Sequence, residues 1–451
     1  MIPLYMPDAV VGADVDRRRL VLPGSKEWDL PSIRAGLTLA MPLTKSTAPV
    51  HSAAGSMGLS TETVSALGTR ARETDDYIVQ AIANQARFTK YGMVSEVARE
   101  NLCLRSQELD VNGSGTPWNR ARASVSANTA ATTDPYGTNL ADKIVEDSTA
   151  TNTHCIYQTI TFTAAAHTFS GFFKAAERTV VCLRMHVSSE VYKRAYFDLS
   201  AGTVGTTSAA GTTARIRDWG NGWYRCEITA TPEVSIREVM ILLADADPES
   251  DADPSYSGNG SNGTYAFGTQ VELGSAASTY TPTEASSVVR AKEDLDIAGG
   301  NASIAAGTLM TAVTLDGLHG VNQYICDIYV DATNHISLYV DTAGKPALLV
   351  DAGGEQALLT ATSALTVGTT AVITAAWAAN DVRLYVNGAD EQADTSATMP
   401  SGSPTVFIGQ DGGNATQLMG SGSHMTIWDN AMTAADILAN AQWAMSKVGL
   451  L

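Results

Sequence analysis

Residues 214–231 read Ala-Arg-Ile-Arg-Asp-Trp-Gly-Asn-Gly-Trp-Tyr-Arg-Cys-Glu-Ile-Thr-Ala-Thr. Gly220-Asn221-Gly222 lies at the centre, and glycine and asparagine accept the positive φ values that tight hairpin turns require. Beyond this turn the side chains alternate between two faces, one with Tyr224, Cys226 and Ile228, the other with Trp223, Arg225 and Glu227. Because successive side chains of a strand point to opposite sides, the stretch predicts a β-hairpin with one buried face.

The same two-residue alternation extends in both directions from this hairpin. Apolar residues alternate at Ile156, Ile160 and Phe162, at Val181, Leu183, Met185 and Val187, at Val239, Ile241 and Leu243, and at Tyr265, Phe267, Val271 and Leu273. The pattern restarts at Leu309, Val313 and Leu315, then at Ile336, Leu338 and Val340, and at Val382, Leu384 and Val386. Short strands between Gly, Ser and Thr loops favour β-sandwiches over βαβ units.

We therefore predict a mainly β chain with two antiparallel β-sandwich (jelly-roll) domains after an extended and helical N-terminal anchor. The predicted domains are an anchor and oligomerisation region (1–100), a first sandwich (101–283), a linker (284–304) and a second sandwich (305–451). Val64, Leu67, Ala71 and Ile78 have near-helical spacing, which predicts a helix near residues 60–88. Thr433 is expected to cap a last helix whose apolar stripe contains Ile437, Leu438, Ala441 and Met445.

Composition excludes several classes of protein. The 451 residues carry 29 basic and 47 acidic side chains, a net charge of −18, which repels nucleic-acid phosphates. No apolar run approaches the ~20 residues that cross a bilayer, and we expect neither membrane insertion nor a secretion signal. The five cysteines lack metal-ligand spacing and are expected to be free, buried thiols in a protein that folds in a reducing compartment.

Six blocks between residues 101 and 283 carry a family resemblance: NLCLRSQ (101–107), ADKIVED (141–147), GWYR (222–225), YSGNG (256–260), GTQVE (268–272) and YTPT (280–283). In this order they resemble the carbohydrate-binding-module-like domain of phage fibre and spike proteins. RLYVNG (383–388), IG (408–409) and HMTIWDNAMTAADI (424–437) are similar to the last hairpin, strand and helix of laminin-G or concanavalin-type jelly rolls.

These resemblances imply a fibre or spike on the surface of a phage or phage-like gene-transfer particle, assembled in the bacterial cytoplasm. Its distal modules would bind host cell-surface glycan, and residues 1–100 would contact other virion proteins. The fibre analogy and the predicted helix also imply a homo-oligomer, which we expect to be a trimer.

Sugars are bound by an aromatic ring beside polar groups, so exposed Trp and Tyr residues near Arg, Asp or Asn are the candidates. The predicted carbohydrate-binding residues are Trp219, Trp223, Arg225, Trp118, Tyr256 and Tyr385. The alternative is that the Gly-Trp-Tyr-Arg block closes one end of the sandwich as a structural motif.

Four aspartates, Asp245, Asp247, Asp251 and Asp253, crowd one loop and are a candidate calcium site, although the EF-hand spacing is absent. The alternative is a solvated acidic loop. Residues 258–263 fit G-x-G-x-x-G by letters, but a strand and no helix is expected after them, which excludes a dinucleotide site.

The sequence holds no catalytic motif, and we predict no enzymatic activity and no catalytic residues. The predicted function is a virion receptor-binding fibre or spike that binds surface polysaccharide. A ligand-free spacer or capsid decoration protein is the structural alternative. A capsule depolymerase is the enzymatic one, because two carboxylates can be brought together by folding alone.

Overall fold

A computed structural model of the chain describes residues 92–111, 117–297, 302–413 and 415–450, and before them the backbone of five short strands. The chain divides into two compact units. The first unit is built on Ala98–Ala291, and the second on Ile82–Val97 together with Lys292–Leu451. Each is an antiparallel β-sandwich, so the predicted fold class of two jelly-roll sandwiches is confirmed.

The strands before the first unit are short: β1 (Leu20–Val21), β2 (Leu37–Met41), β3 (Arg70–Arg72), β4 (Ile78–Gln80), β5 (Phe88–Thr89) and β6 (Gly92–Ser95). Most of the helix predicted near residues 60–88 lies outside the described residues. Where this range is described it is wrong, because β3 pairs antiparallel with β4. Ile78 and Val79 in β4 are β-branched, which favours a strand over a helix.

The first unit contains β7 (Arg99–Asn101), β8 (Trp118–Ala121), β9 (Ala123–Ser126), β10 (Asp142–Glu146), β11 (His154–Phe162), β12 (His167–Ala175), β13 (Val180–Ser188), β14 (Val191–Asp198), β15 (Thr203–Thr207), β16 (Thr212–Gly220), β17 (Trp223–Ala230), β18 (Ser235–Ala244), β19 (Gly263–Leu273) and β20 (Val288–Arg290). Two six-stranded sheets, β16-β17-β12-β19-β10-β9 and β15-β14-β13-β18-β11-β8, form the sandwich. Their inner faces meet in a core that includes Phe169, Phe173, Leu183 and Ile241.

The hairpin predicted from residues 214–231 is confirmed. Strands β16 and β17 pair antiparallel, with Gly220 opposite Trp223. Gly220, Asn221 and Gly222 have φ values of 82°, 52° and 75°, a conformation that glycine and asparagine accept with little strain. Tyr224, Cys226 and Ile228 point into the core, as the alternation predicts.

The second unit contains β21 (Asp296–Ile297), β22 (Gly307–Leu315), β23 (Gln323–Asp331), β24 (Asn334–Val340), β25 (Pro346–Ala352), β26 (Glu355–Thr360), β27 (Thr370–Ala378), β28 (Asp381–Val386), β29 (Ala389–Asp394), β30 (Thr405–Ile408), β31 (Gly420–Trp428) and the helix α1 (Ala434–Lys447). One sheet has the order β1-β2-β31-β22-β27-β28-β29, with β6 also paired to β31. The facing sheet has the order β21-β30-β23-β24-β25-β26.

Helix α1 covers the outer face of the sheet that contains β22 and β27. The Thr433 side chain caps the helix by accepting a hydrogen bond from the Asp436 N–H. Ile437, Ala441 and Met445 pack on this sheet, so the predicted packing of the helix on the sandwich is confirmed. Leu438 is 43% exposed and lies outside the stripe, because it is rotated by about 100° from Ile437.

Three further predictions can be compared with the structure. The range predicted as a linker, 284–304, contributes strands β20 and β21 to the two units, and Glu293 within it accepts a hydrogen bond from the Glu96 N–H at 2.8 Å. All five cysteines are buried and unpaired, as predicted. No helix among the described residues is both long and apolar enough to span a bilayer.

Candidate functional site

The first unit has one covered outer face. Two chain segments, one around Tyr136 and one around Ser278, lie over the sheet that contains β17. Beneath them Phe172, Trp223, Phe267 and Tyr280 form a second apolar cluster. The Trp223 indole N–H donates to the Thr133 carbonyl at 2.8 Å, and the Arg225 guanidinium donates to the Ser278 carbonyl at 2.6 Å. This face is therefore closed by the protein's own chain.

The predicted sugar platform at this hairpin is wrong for Trp223 and Arg225, whereas Trp219 stays a prediction. Trp223 is 1% exposed and Arg225 is 2% exposed, so neither can stack on a sugar. Trp219 is half-buried, with its ring edge-on to Phe172 at a centroid distance of 5.2 Å. The structural alternative for the Gly-Trp-Tyr-Arg block fits these contacts, because the two segments convert an outer strand face into an interior.

The other three predicted aromatic residues are also buried. Trp118 is fully buried in the main core and donates to the Arg105 carbonyl at 3.2 Å. Tyr256 is 6% exposed, and its hydroxyl donates to Glu146 at 2.8 Å. Tyr385 is 2% exposed in the cluster beneath α1. Burial removes the ring surface that a sugar would need, so these predictions are wrong as well.

The aspartates of the acidic loop at residues 245–253 pair mainly with groups of the protein itself, including two arginines. Asp253 accepts hydrogen bonds from Arg184 and Arg194, and Asp251 accepts from Arg194 at 3.1 Å. Asp247 accepts from the Thr206 N–H at 2.6 Å, and Asp245 acts electrostatically on Arg178 and Tyr256. Within the described ranges no three His, Cys, Asp or Glu side chains group as metal ligands, and calcium binding stays a prediction.

The opposite outer face of the first unit is only partly covered. We define the Tyr192 face as the outer surface of the sheet with β13, β14 and β18, bearing Arg184, His186, Tyr192, Arg194 and Glu238. The guanidinium carbons of Arg184 and Arg194 lie 4.5 Å and 5.4 Å from the Tyr192 ring centroid. The His186 ring lies at 4.5 Å, so the protein itself already surrounds the Tyr192 ring.

Among the described residues of the second unit, no helix covers the outer face of one of the two sheets. We define the Tyr324 face as the outer surface of the sheet β21-β30-β23-β24-β25-β26, bearing Tyr324, Asp327, Tyr329, His335, Ser337, Tyr339, Leu349, Asp351 and Phe407. Its strands turn Ile328, Ile336 and Leu348 inward to the core. The period of two then places the aromatic and acidic residues outward.

The aromatic rings of the Tyr324 face form two groups. Tyr324 and Tyr339 stack with their centroids 5.2 Å apart and an interplanar angle of 24°. Tyr329 meets Phe407 edge-on at 6.0 Å and lies 5.9 Å from the His335 ring. Tyr324, Tyr329 and Phe407 are half-buried, so part of each ring remains accessible.

A series of hydrogen bonds connects the polar residues of the Tyr324 face. The Ser337 hydroxyl donates to Asp327 Oδ1 at 2.8 Å, and His335 Nδ1 lies 2.8 Å from the same hydroxyl. Asp327 Oδ2 accepts a hydrogen bond from the Gly412 N–H at 2.8 Å. A β-carbon on Gly412 would lie 2.1 Å from Tyr329 Cγ, so only glycine lets this loop lie against the ring. The aromatic residues therefore rest on a fixed polar layer.

The charges on the Tyr324 face favour neutral phenols. Burial, together with the carboxylates of Asp327 and Asp411, raises the pKa of Tyr324 to about 12. Burial, with Asp341 and Glu355, also raises the pKa of Tyr339. Protonated phenols donate and accept hydrogen bonds while their rings offer apolar surface. The face can therefore bind a polar molecule that also has apolar C–H surface.

Alternation was the signal that could have revealed this face. His335, Ser337 and Tyr339 lie between Ile336, Leu338 and Val340, the residues from which the strand was predicted. Their outward direction follows from that pattern. The sequence does not show that α1 covers the other sheet and leaves this one open.

His335 makes the stability of the second unit depend on pH. Hydrogen bonding to Asp327 is the main cause that raises the pKa of His335, and burial opposes it. This stabilisation is fully present below the unfolded-state pKa of about 6.5 and is lost as pH rises through the higher folded-state pKa. We expect the second unit's Tm to fall more from pH 5.5 to pH 8 in wild type than in His335→Gln, by calorimetry. Parallel slopes in the two proteins would contradict this.

Comparisons with known proteins agree with this architecture. Residues 285–438 match the family described as the concanavalin A-like lectin/glucanases superfamily. The second unit therefore has a concanavalin-like jelly-roll fold, which is the fold of lectins and carbohydrate-binding modules. No curated protein sequence matches the chain.

Solved structures with some similarity include three from different organisms. A SAP-like pentraxin from Limulus polyphemus is 18% identical over 30% of this chain and 69% of its own, with a TM-score of 0.26. Domain 4 of the arabinanase AbnA from Geobacillus stearothermophilus, in complex with arabinotriose, is 15% identical over 34% and 73%, with a TM-score of 0.29. The sialidase module CBM40 from Ruminococcus gnavus, bound to sialyllactose, is 14% identical over 30% and 83%, with a TM-score of 0.27.

Proposed function

We propose that this chain is a non-enzymatic protein that binds host cell-surface polysaccharide through the Tyr324 face. The observation that carries the proposal is the set of half-buried rings, Tyr324, Tyr329 and Phe407, above the buried Asp327 and Ser337. A sugar ring has an apolar C–H face and a rim of hydroxyls, so it needs both kinds of contact. The concanavalin-like fold of the second unit supports the same class of ligand.

The absence of an enzymatic role is part of the proposal. The most buried carboxylate of the face, Asp327, already accepts hydrogen bonds from Ser337 and Gly412 and lies 3.4 Å from His335 Nδ1. A glycosidase would instead hold a carboxyl group where it can reach the scissile oxygen. These contacts favour a structural role for Asp327.

We further propose that the chain is a fibre or spike on a phage or phage-like particle, attached through residues 1–100 and assembled as a homotrimer. The six blocks of residues 101–283 that resemble phage fibre modules support this proposal. Several copies on one particle would raise the effective concentration of each shallow site, so weak single contacts become strong collective binding.

Replacing Tyr324 with alanine is expected to weaken polysaccharide binding at least about tenfold, which corresponds to about 1.4 kcal/mol. The reason is the loss of accessible ring surface and of the stacking partner of Tyr339. The measurement is binding of the full-length chain to a glycan array, followed by titration of the strongest hits.

Tyr192→Ala is the matched control, since it removes a half-buried tyrosine from the open face of the first unit. It should leave binding unchanged. Loss of binding in Tyr192→Ala but not in Tyr324→Ala would place the site on the first unit. An array with no signal for wild type would favour the spacer or decoration alternative, and shortened polysaccharide after incubation would favour the depolymerase.

A further inference from the structure

The second unit carries most of the protein's negative charge. Residues 292–451 contain four basic residues, Lys292, Lys345, Arg383 and Lys447, against sixteen acidic ones. Their net charge of −12 is two thirds of the −18 of the whole chain. The first unit is therefore closer to neutral, and any charge selection by the protein should be strongest at the second unit.

Carboxylates lie around the rings of the Tyr324 face. Asp331, Asp351 and Asp411 accept hydrogen bonds from turn N–H groups at 2.8 Å, 2.7 Å and 2.7 Å. Among the described residues none of these three has an arginine or lysine partner. The aspartates are held in place, and their charge is not neutralised by an ion pair.

The charged groups near these rings are mainly acidic, although His335, whose pKa is raised by Asp327, lies 5.9 Å from the Tyr329 ring. Asp327 and Asp411 raise the pKa of Tyr324, and Asp341 and Glu355 raise the pKa of Tyr339. The Tyr192 ring is the contrast, because Arg184 and Arg194 lie within 5.4 Å of its centroid. In the described part of the second unit no such cation lies over a ring.

We propose that the Tyr324 face selects glycans that carry amino groups and excludes glycans that carry carboxylates. This inference rests on the proposed function and names its substrate class. An ammonium group on a sugar stacked at Tyr329 would lie near the Asp411 and Asp351 carboxylates, because Asp411 precedes Gly412 at the Tyr329 ring and Asp351 pairs with His335, the strand partner of Tyr329. A uronic or sialic acid in the same place would be repelled, since charges on neighbouring strands lie about one screening length apart, about 8 Å at physiological salt.

The test is a glycan array with matched gluco- and galacto-series, each containing amino, N-acetylated and carboxylated oligosaccharides. We expect the full-length wild-type chain to bind the amino members above the N-acetylated ones and to give no signal with the carboxylated ones. The preference should shrink from about 0.05 M to about 0.5 M salt, because salt screens the carboxylates.

Asp351→Asn and Asp394→Asn are the decisive pair of variants. Each aspartate is half-buried and accepts a turn N–H, from Gly354 and Ser396, and asparagine can accept the same bond. Both variants remove one negative charge, but Asp394 lies in β29, on the other sheet. We expect the amino-over-acetyl preference to fall about threefold in Asp351→Asn and to be unchanged in Asp394→Asn.

The outcomes separate this inference from the proposed function. Binding of carboxylated members as strong as that of amino members overturns the inference and leaves polysaccharide binding standing. An equal fall in both variants also overturns it, because net charge and not the face would then be selecting. No signal with any member of either series overturns the proposed function and this inference together.

Discussion

Alanine at position 223 is expected to destabilise the first unit by about 3–5 kcal/mol, the usual cost of truncating a buried tryptophan. Trp223 is 1% exposed and packs with Phe172, Phe267 and Tyr280. Its loss would open a cavity under the segment that contains Thr133 and leave that carbonyl without its indole donor. The measurement is calorimetry of the full-length chain, in which the first unit's transition should move while the second unit's transition should not.

Trp219→Ala is the matched control, since Trp219 lies before the same turn but is half-buried. A smaller destabilisation of the first unit, about 1 kcal/mol, is expected because folding buries less of the apolar surface of Trp219. Polysaccharide binding should be unchanged in both variants. A folded Trp223→Ala protein with unchanged stability and lost binding would restore Trp223 as a sugar platform.

Replacing Glu227 with glutamine is expected to destabilise the first unit by about 3 kcal/mol at neutral pH. Glu227 is 3% exposed, forms ion pairs with Arg215 and Arg217, and accepts the Ala277 N–H at 2.8 Å. Glutamine keeps the shape of the side chain but removes the charge that these arginines need. The half-buried Arg215 and Arg217 and the buried Arg225 then keep less compensating charge, which opposes folding.

The effect of this substitution should depend on pH. Desolvation raises the pKa of Glu227, but Arg217, Arg215 and Arg225 outweigh it and lower the pKa to about 2. The contribution of a carboxyl group with a depressed pKa is present above its unfolded value of about 4.5 and is lost as pH falls toward 2. Denaturant titrations should therefore show wild type and Glu227→Gln converging between pH 5 and pH 2.

Glu108→Gln is the control for this charge removal. Glu108 pairs with Arg105 at 2.7 Å, but its side chain is 48% exposed, so the pair should contribute less than about 0.5 kcal/mol. A loss in Glu108→Gln as large as that in Glu227→Gln would show that the buried network has no special role.

The fold could be predicted from the sequence because its determinants are local. Alternation at Ile156, Leu183 and Ile241 defined strand faces, and Gly220-Asn221-Gly222 defined a turn. The helix cap at Thr433 is equally local. The helix near residues 60–88 was predicted from spacing alone, without tertiary contacts to support it, and the described strands β3 and β4 contradict it.

The site was harder to predict because burial of a strand face depends on distant segments. Alternation placed Trp223 and Arg225 away from the core side of β17, and the structure agrees. What the sequence could not show is that Thr133 and Ser278 cover that face through hydrogen bonds, because they lie 90 and 53 residues from their partners Trp223 and Arg225. Tyr385 fails in the same way, since α1 lies over it.

The path of the chain through the second unit affects how the protein folds during synthesis. Strand β6 pairs with β31, and the Ser95 hydroxyl donates to the Gly409 carbonyl at 2.8 Å, 314 residues later in sequence. The first unit is thus an insertion within the second. At about 5–20 residues per second, a ribosome needs on the order of half a minute to synthesise the residues between Ser95 and Gly409. The inserted sandwich can fold first, while β6, which precedes it, has no β31 to pair with until that strand is synthesised.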